Sequence, residues 1–290
     1  MCIAASVGQG GNNGHSDVRT VQLLLQLNGQ LPVSFIADGH CSASTIAAIA
    51  AFARGVVGGM ETAALIAPGG TTLRALHAGL PAGISSYKLQ AIYIDAPADT
   101  VLRFYDALVA GMTAGAITSP LRQAHFLAQV GHESGELRYT QELADGTAYE
   151  GRKDLGNTQP GDGPRFKGRG LIQLTGRANY AAFGKSVGRD FMTDTTCRLL
   201  ATDPALAVDV AVWFWTTRKL NTLADQDDLL AATKRINGGT NGLQDRARLL
   251  DRARWFLLPA PGTSTAAVQT LQAVATRTQR RRPRRQSITL

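Results

Sequence analysis

The chain has 290 residues but only three cysteines, Cys2, Cys41 and Cys197, and no two stand in C-x-x-C spacing. That argues against a disulfide framework and against a zinc site. The five histidines (His15, His40, His77, His125, His132) form no H-E-x-x-H pattern. His125 and His132 fall seven apart on one expected helix face, and two ligands alone rarely make a site. We therefore expect no catalytic metal and no cofactor. No apolar run reaches the roughly 18 residues that a membrane-spanning helix needs. The start, Met1-Cys2-Ile3-Ala4-Ala5-Ser6, lacks a basic stretch followed by an apolar one, so we expect no secretory signal and folding in a cytoplasm. Charge is sparse at 18%, and acids are missing altogether from residues 259–290. That stretch holds six arginines, Arg277, Arg280, Arg281, Arg282, Arg284 and Arg285; setting them aside takes the net charge from +8 to +2. The basicity therefore belongs to the tail. A disordered solvated end is the plain expectation for it, and binding to an anionic envelope surface the sharper one. The rest of the chain is nearly neutral, which argues against a nucleic-acid partner.

Hydrophobic residues, in contrast, make up 44%, and the length suits two domains. Residues 1–80 read as a small three-helix module. Asp17 can cap a helix with Val18, Val21, Leu24 and Leu25 on one face, Asp38-Gly39 makes a turn, and a second helix starts near Thr45 with Ile46, Ile49, Phe52 and Val56. Pro68-Gly69-Gly70 then turns into a short helix at Thr71-Thr72-Leu73. Residues 81–86, with Pro81-Ala82-Gly83, read as a linker. Residues 87–258 read as mainly α, with helices expected over 98–111, 120–134, 177–187, 203–218, 229–236 and 243–256. Periodicity disappears between residues 135 and 170, where Gly, Asp, Asn and Pro accumulate. A loop this long inside a compact domain is usually functional.

The chemistry gathers around that loop. Glu133 projects from the last turn of the 120–134 helix, which Gly135 stops. The negative end of the helix dipole disfavours a carboxylate there and favours a proton-holding acid, which is what a glycosidic leaving oxygen requires. Glu142 follows nine residues later. Along a continuous helix that is about 13.5 Å, too far for a catalytic pair, so the chain must bend after Gly135. A bend can bring the carboxyls to the roughly 6.5–9.5 Å that leaves room for a water, with Glu142 as base. Glu150, in the same loop, is a rival. Next comes Gly168-Arg169-Gly170-Leu171-Ile172-Gln173-Leu174-Thr175, then Asn179-Tyr180, then Ile236-Asn237-Gly238-Gly239. Glycines around Arg169 allow close approach of a ligand, and Gln173, Thr175, Asn179 and Tyr180 carry neutral hydrogen-bonding groups suited to sugar hydroxyl and acetamido groups.

These motifs, in this order and with His132-Glu133-Ser134-Gly135 ahead of them, resemble glycoside hydrolase family 19, over roughly residues 90–256. The family comprises chitinases and phage or bacterial lysozyme-like enzymes. The segment from Tyr149-Glu150-Gly151-Arg152 to Gly161-Asp162-Gly163 resembles its phage endolysin branch. Residues 1–80 resemble the peptidoglycan-binding type 1 module, the alternative being a generic three-helix packing domain. The resemblance implies a lysozyme-like, two-lobed α-helical fold around a cleft, with Glu133 as general acid, Glu142 as general base and Thr175 as the hydroxyl that holds the attacking water. It further implies Gln173, Asn179 and Asn237 as sugar-binding positions, with Arg169 and Tyr180 beside them. A late arginine is also implied, for which Arg246, Arg248, Arg252 and Arg254 compete. The expected activity is inverting hydrolysis of β-1,4 bonds in peptidoglycan glycan strands by a monomer that causes host lysis and leaves the cytoplasm through a holin-type pore. Chitin hydrolysis and a non-catalytic wall-binding protein are the alternatives.

Overall fold

The computed structural model describes residues 2–57 and 64–260, which form two compact units, one of the described residues up to Gly83 together with residues 258–260 and the other spanning Ile84–Leu257. The arginine-rich stretch lies outside the described residues.

In the first unit a two-stranded antiparallel pair, β1 (Val7–Gly8) and β2 (Leu65–Ile66), accompanies three α-helices. These are α1 (His15–Leu27), α2 (Ala43–Phe52, continued by a π-turn at Ala53–Val57) and α3 (Thr71–Ala78). Val18, Val21, Leu24, Leu25, Ile49, Phe52, Leu73 and Leu76 are all buried. Gln22 holds the unit together from inside. Its amide donates to Asp38 Oδ1 (2.9 Å), His40 O (3.0 Å) and Thr45 Oγ1 (3.2 Å), and its carbonyl accepts from Gly39 N (2.9 Å). Asp17 does not cap α1; the helix starts two residues earlier, and the Asp17 carboxylate accepts from Ala4 N (2.9 Å) and Ala5 N (2.8 Å), tying down the N-terminal segment.

The second unit is mainly α, and its helices run α4 (Ser86–Ile92), α5 (Ala98–Ala114), α6 (Pro120–Glu133), α7 (Asp162–Arg165), α8 (Arg177–Val187), α9 (Leu199–Thr202), α10 (Pro204–Thr217), α11 (Leu220–Asp225), α12 (Leu229–Asn237) and α13 (Leu243–Leu257). α4 begins inside the stretch expected as linker. No helix among the described residues is long and apolar enough to cross a membrane.

Short side chains set where the main helices begin. Ser119, Asp203 and Asp228 accept from the first-turn N–H groups of Arg122, Ala205 and Ala231, and Pro120 and Pro204 supply a first residue that needs no donor. α6 is buried continuously from Ala124 to Gly131. Gly131 is what admits its neighbours, because a Cβ there would lie 2.6 Å from the Tyr93 ring and 3.2 Å from Leu249 of α13. Phe126 meets Trp215 of α10 edge to face at 5.3 Å, and each such buried side chain contributes about 1.5–3 kcal/mol of hydrophobic stabilisation.

The aperiodic stretch of residues 135–170 is tied down by side-chain-to-backbone bonds. Glu150 accepts from Gly161 N and Gly163 N, both at 2.7 Å. Asn157 donates to Tyr149 O (2.8 Å) and accepts from Arg177 N (2.8 Å). Arg177 forks onto the fully buried Asp162 carboxylate, which it holds below the usual carboxylate range.

Candidate active site

α6 ends at Glu133, and the chain then reverses through three consecutive left-handed residues, Gly135 (φ 56°), Glu136 (φ 58°) and Leu137 (φ 69°). For the two that carry side chains this conformation costs roughly 1–2 kcal/mol each. Glu136 N donates to Gly131 O (2.7 Å) and Tyr139 N to Ser134 O (2.8 Å), closing the turn. Leu137 is fully buried, and the buried Glu136 carboxylate is held by Asp95 N (3.0 Å) and Arg248 (3.1 Å). Burial raises the Glu136 pKa, with Arg248 opposing.

Beyond the turn, Gln141 bridges Arg169, which in turn bridges Leu174, so three short extended segments lie side by side. Glu142 is thereby brought to Gly168: its N–H donates to Gly168 O (2.9 Å), and Gly168 N donates to Glu142 Oε2 (3.1 Å). Tyr149 donates its hydroxyl proton to Glu142 Oε1 at 2.9 Å. A Cβ at Gly168 would sit 2.8 Å from Gln173 Oε1 and 3.3 Å from the Glu142 carboxylate, so glycine lets the two side chains close over the backbone. Gln173 is itself left-handed (φ 55°) and is fastened by its amide to Tyr139 O (3.3 Å) and Gly170 O (3.2 Å). Thr175 Oγ1 donates to Gln173 O (2.9 Å), which commits its proton and leaves it an acceptor toward any water. Asn179 donates to Thr175 O (2.7 Å).

Glu133, 19% exposed, faces a cation that sequence reasoning left among four candidates. Arg246 is buried, and its guanidinium donates to Glu133 Oε1, to Gln129 Oε1 one turn back on α6, and to Asn241 O (3.4 Å). The other three late arginines are engaged elsewhere: Arg248 with Glu136 and Asp245, Arg252 with Ala91 O, and Arg254 with Asp227. Asn237 shares Asn241 O with Arg246, donating to it at 2.8 Å while accepting from Gly239 N (2.8 Å), so it staples the turn behind the arginine.

Two expected sugar contacts, Tyr180 and Arg169, are buried and bonded to other groups of the chain. Tyr180 is fully buried, and its hydroxyl donates to Lys167 O (2.7 Å) and accepts from Arg169 (3.0 Å). Burial pushes its pKa far up, so the phenol stays protonated. Arg169, 4% exposed, is spent on Gln141 Oε1 (3.1 Å), Arg165 O (2.6 Å) and Tyr180. Both tie the bridged segments to one another and to Arg165 and Lys167. Sequence reasoning missed Gln129 and Tyr149. The single polar residue within Phe126–Gly131, four before Glu133, was a signal for the first; nothing in the aperiodic loop singles out the hydroxyl of the second. Glu150, the rival base, accepts with both oxygens from the Gly161–Gly163 turn. His132 pairs with Asp245 at 2.7 Å and His125 with Asp227 at 2.7 Å, and among the described residues no cluster could hold a metal.

Comparison with known proteins bears on this geometry. The family model for class I chitinases matches residues 105–230, which include Glu133, Glu142 and Gln173 to Tyr180 and end before Asn237 and Arg246. The chain is 35% identical over 176 residues to a glycosyl hydrolase family 19 domain-containing protein of Haemophilus influenzae, covering 50% of this chain and 84% of that one. It is 35% identical over 140 residues to an Arabidopsis thaliana endochitinase, of which it spans only 45%, using 46% of its own length. The solved structure of chitinase C from Streptomyces griseus superposes with a TM-score of 0.51 at 22% identity, over 62% of this chain and 95% of that one, and shares its mainly helical fold. The protein belongs to glycoside hydrolase family 19 and is a chitinase-like glycosidase.

Proposed function

We propose that the enzyme hydrolyses β-1,4 bonds of bacterial peptidoglycan by single displacement and serves as an endolysin. The observation that carries this reading is the contrasted setting of two carboxylates. Glu133 is gripped at one oxygen by a buried arginine at a helix end, and Glu142 is clamped by Gly168 N–H and the Tyr149 hydroxyl on the adjoining extended segments. In this reading Glu133 delivers a proton from Oε2 to the leaving oxygen while Arg246 keeps hold of Oε1. Glu142 takes a proton from the water that attacks the opposite face of the sugar ring, and Thr175 accepts the second hydrogen of that water. Gln173 and Asn179 border the bound glycan, and no cofactor is required. The resemblance of residues 1–80 to a peptidoglycan-binding module supports peptidoglycan as the polymer, and a holin-type pore is the proposed route to it.

Chitin hydrolysis is the second reading, favoured by the plant relatives, which are named endochitinases. Incubating the purified chain separately with peptidoglycan sacculi and with chitin, and identifying the released ends by mass spectrometry, separates the two. We expect glycan fragments with new reducing ends from sacculi. Release from chitin alone would overturn the peptidoglycan assignment.

A further inference from the structure

In the reading above the Tyr149 hydroxyl is a contact of Glu142 and takes no part in a proton-transfer step. Tyr149 stands seven residues after Glu142, and its hydroxyl is 2.9 Å from Glu142 Oε1. Its position does not depend on that bond. Tyr149 N donates to Gly146 O (3.0 Å), Asn157 donates to Tyr149 O (2.8 Å), and the next residue, Glu150, is fixed by Gly161 and Gly163. The hydroxyl is thus presented to the carboxylate by an independently anchored backbone. Burial, the bond to Glu142 and the charge of Glu142 all raise the Tyr149 pKa, which keeps the phenol a donor.

The charged groups nearby are otherwise engaged. Arg152 pairs with Asp154, Lys167 donates to Ala144 O (2.8 Å), Asp145 accepts from Thr147, and Arg169 is committed to Gln141, Arg165 O and Tyr180. The hydrogen bonds that define the orientation of the Glu142 carboxylate are therefore one to each oxygen, from Gly168 N–H and from Tyr149.

We propose that Tyr149 is a positioning residue for Glu142: its hydroxyl and the Gly168 N–H together hold the carboxylate in one orientation, leaving each oxygen a further lone pair for the attacking water. This rests on Glu142 being the base. The backbone donor cannot be mutated away, so Tyr149 is where sequence can tune the base.

The test is Tyr149→Phe in the full chain, which keeps the ring and both backbone anchors. On soluble glycan fragments of peptidoglycan we expect kcat to fall about fivefold to twentyfold with KM within about twofold. In parallel, the Glu142 carboxyl carbon, assigned by its disappearance in Glu142→Gln, is observed by NMR in both proteins at one pH. Loss of the Tyr149 donor should displace its chemical shift. An unmoved signal overturns the proposal even if activity falls, because that pattern is a packing effect. If the wild-type chain cleaves no glycan, the functional reading fails, and the carboxyl signal still decides whether Tyr149 holds Glu142.

Discussion

Arg246 and Glu133 lie 113 positions apart and meet as an ion pair at the end of α6, the guanidinium buried and the carboxylate open to one side. Gln129 completes the arrangement by accepting from the same guanidinium and donating to Thr233 (3.4 Å) on α12. Three helices thus converge behind one carboxylate. Arg246→Met keeps the length of the side chain and removes its donors. Because Glu133 retains some solvent, we expect a loss on the order of 2 kcal/mol, below the value for a fully buried pair. Activity should fall at least tenfold at temperatures where the variant is folded. Thermal melts and glycan hydrolysis check both, and wild-type turnover in the folded variant would remove Arg246 from the site.

The three carboxylates of the site region should separate cleanly. Glu133→Gln and Glu142→Gln each remove a proton-transfer group, and activity should drop by about 10²–10⁴ with folding retained. Glu150→Gln should leave kcat within a fewfold and instead loosen the Gly161–Gly163 turn, costing about 1 kcal/mol, since the turn is partly exposed. Lysis of permeabilised cells and denaturant melts on the three variants distinguish the roles. A Glu150 variant as inactive as the other two would return it to candidacy as the base.

Tyr180→Phe tests whether the Tyr180 hydroxyl serves the fold or the glycan. The hydroxyl bonds Lys167 O and Arg169 in a fully buried position. Its loss should cost about 1–2 kcal/mol and leave KM unchanged. A raised KM with unchanged stability would put Tyr180 back in contact with the glycan.

The residues that sequence reading placed well are those whose role follows from the chain around them. Helix periodicity marked the spans of α6, α8 and α10, and Gly135 foretold the turn after Glu133. The burial of Tyr180 and Arg169 was not legible, because hydrogen-bonding capacity says nothing about which side of a segment faces solvent. That is decided by the pairing of Gln141, Arg169 and Leu174, which is a tertiary event. Arg246 could not be chosen from four arginines on one helix because the choice depends on which of them lies against Gln129 and Glu133. The short helices α7, α9 and α11, four to six residues each, were not foreseen, since a single turn leaves no period to detect.

His125 gives stability a defined dependence on pH. It is fully buried, its Nε2 is 2.7 Å from Asp227, and its Nδ1 is buried without a hydrogen-bond partner. Burial lowers its pKa from 6.5, outweighing Asp227, which acts to raise it. Between the folded pKa and 6.5 the unfolded chain therefore binds more protons than the folded one, so stability falls as pH drops below 6.5. Urea melts from pH 8 to pH 5 should show this decline, and it should flatten in His125→Gln. Equal slopes in the two proteins would show that other groups carry it.

The account turns on a single displacement between Glu133 and Glu142. Proton NMR of soluble glycan products in the first minutes of hydrolysis reads it most directly, before the anomers equilibrate. The wild-type enzyme should release the α-anomer first, and Glu133→Gln should release almost none. A β-anomer appearing first, or undiminished release by Glu133→Gln, would contradict the mechanism.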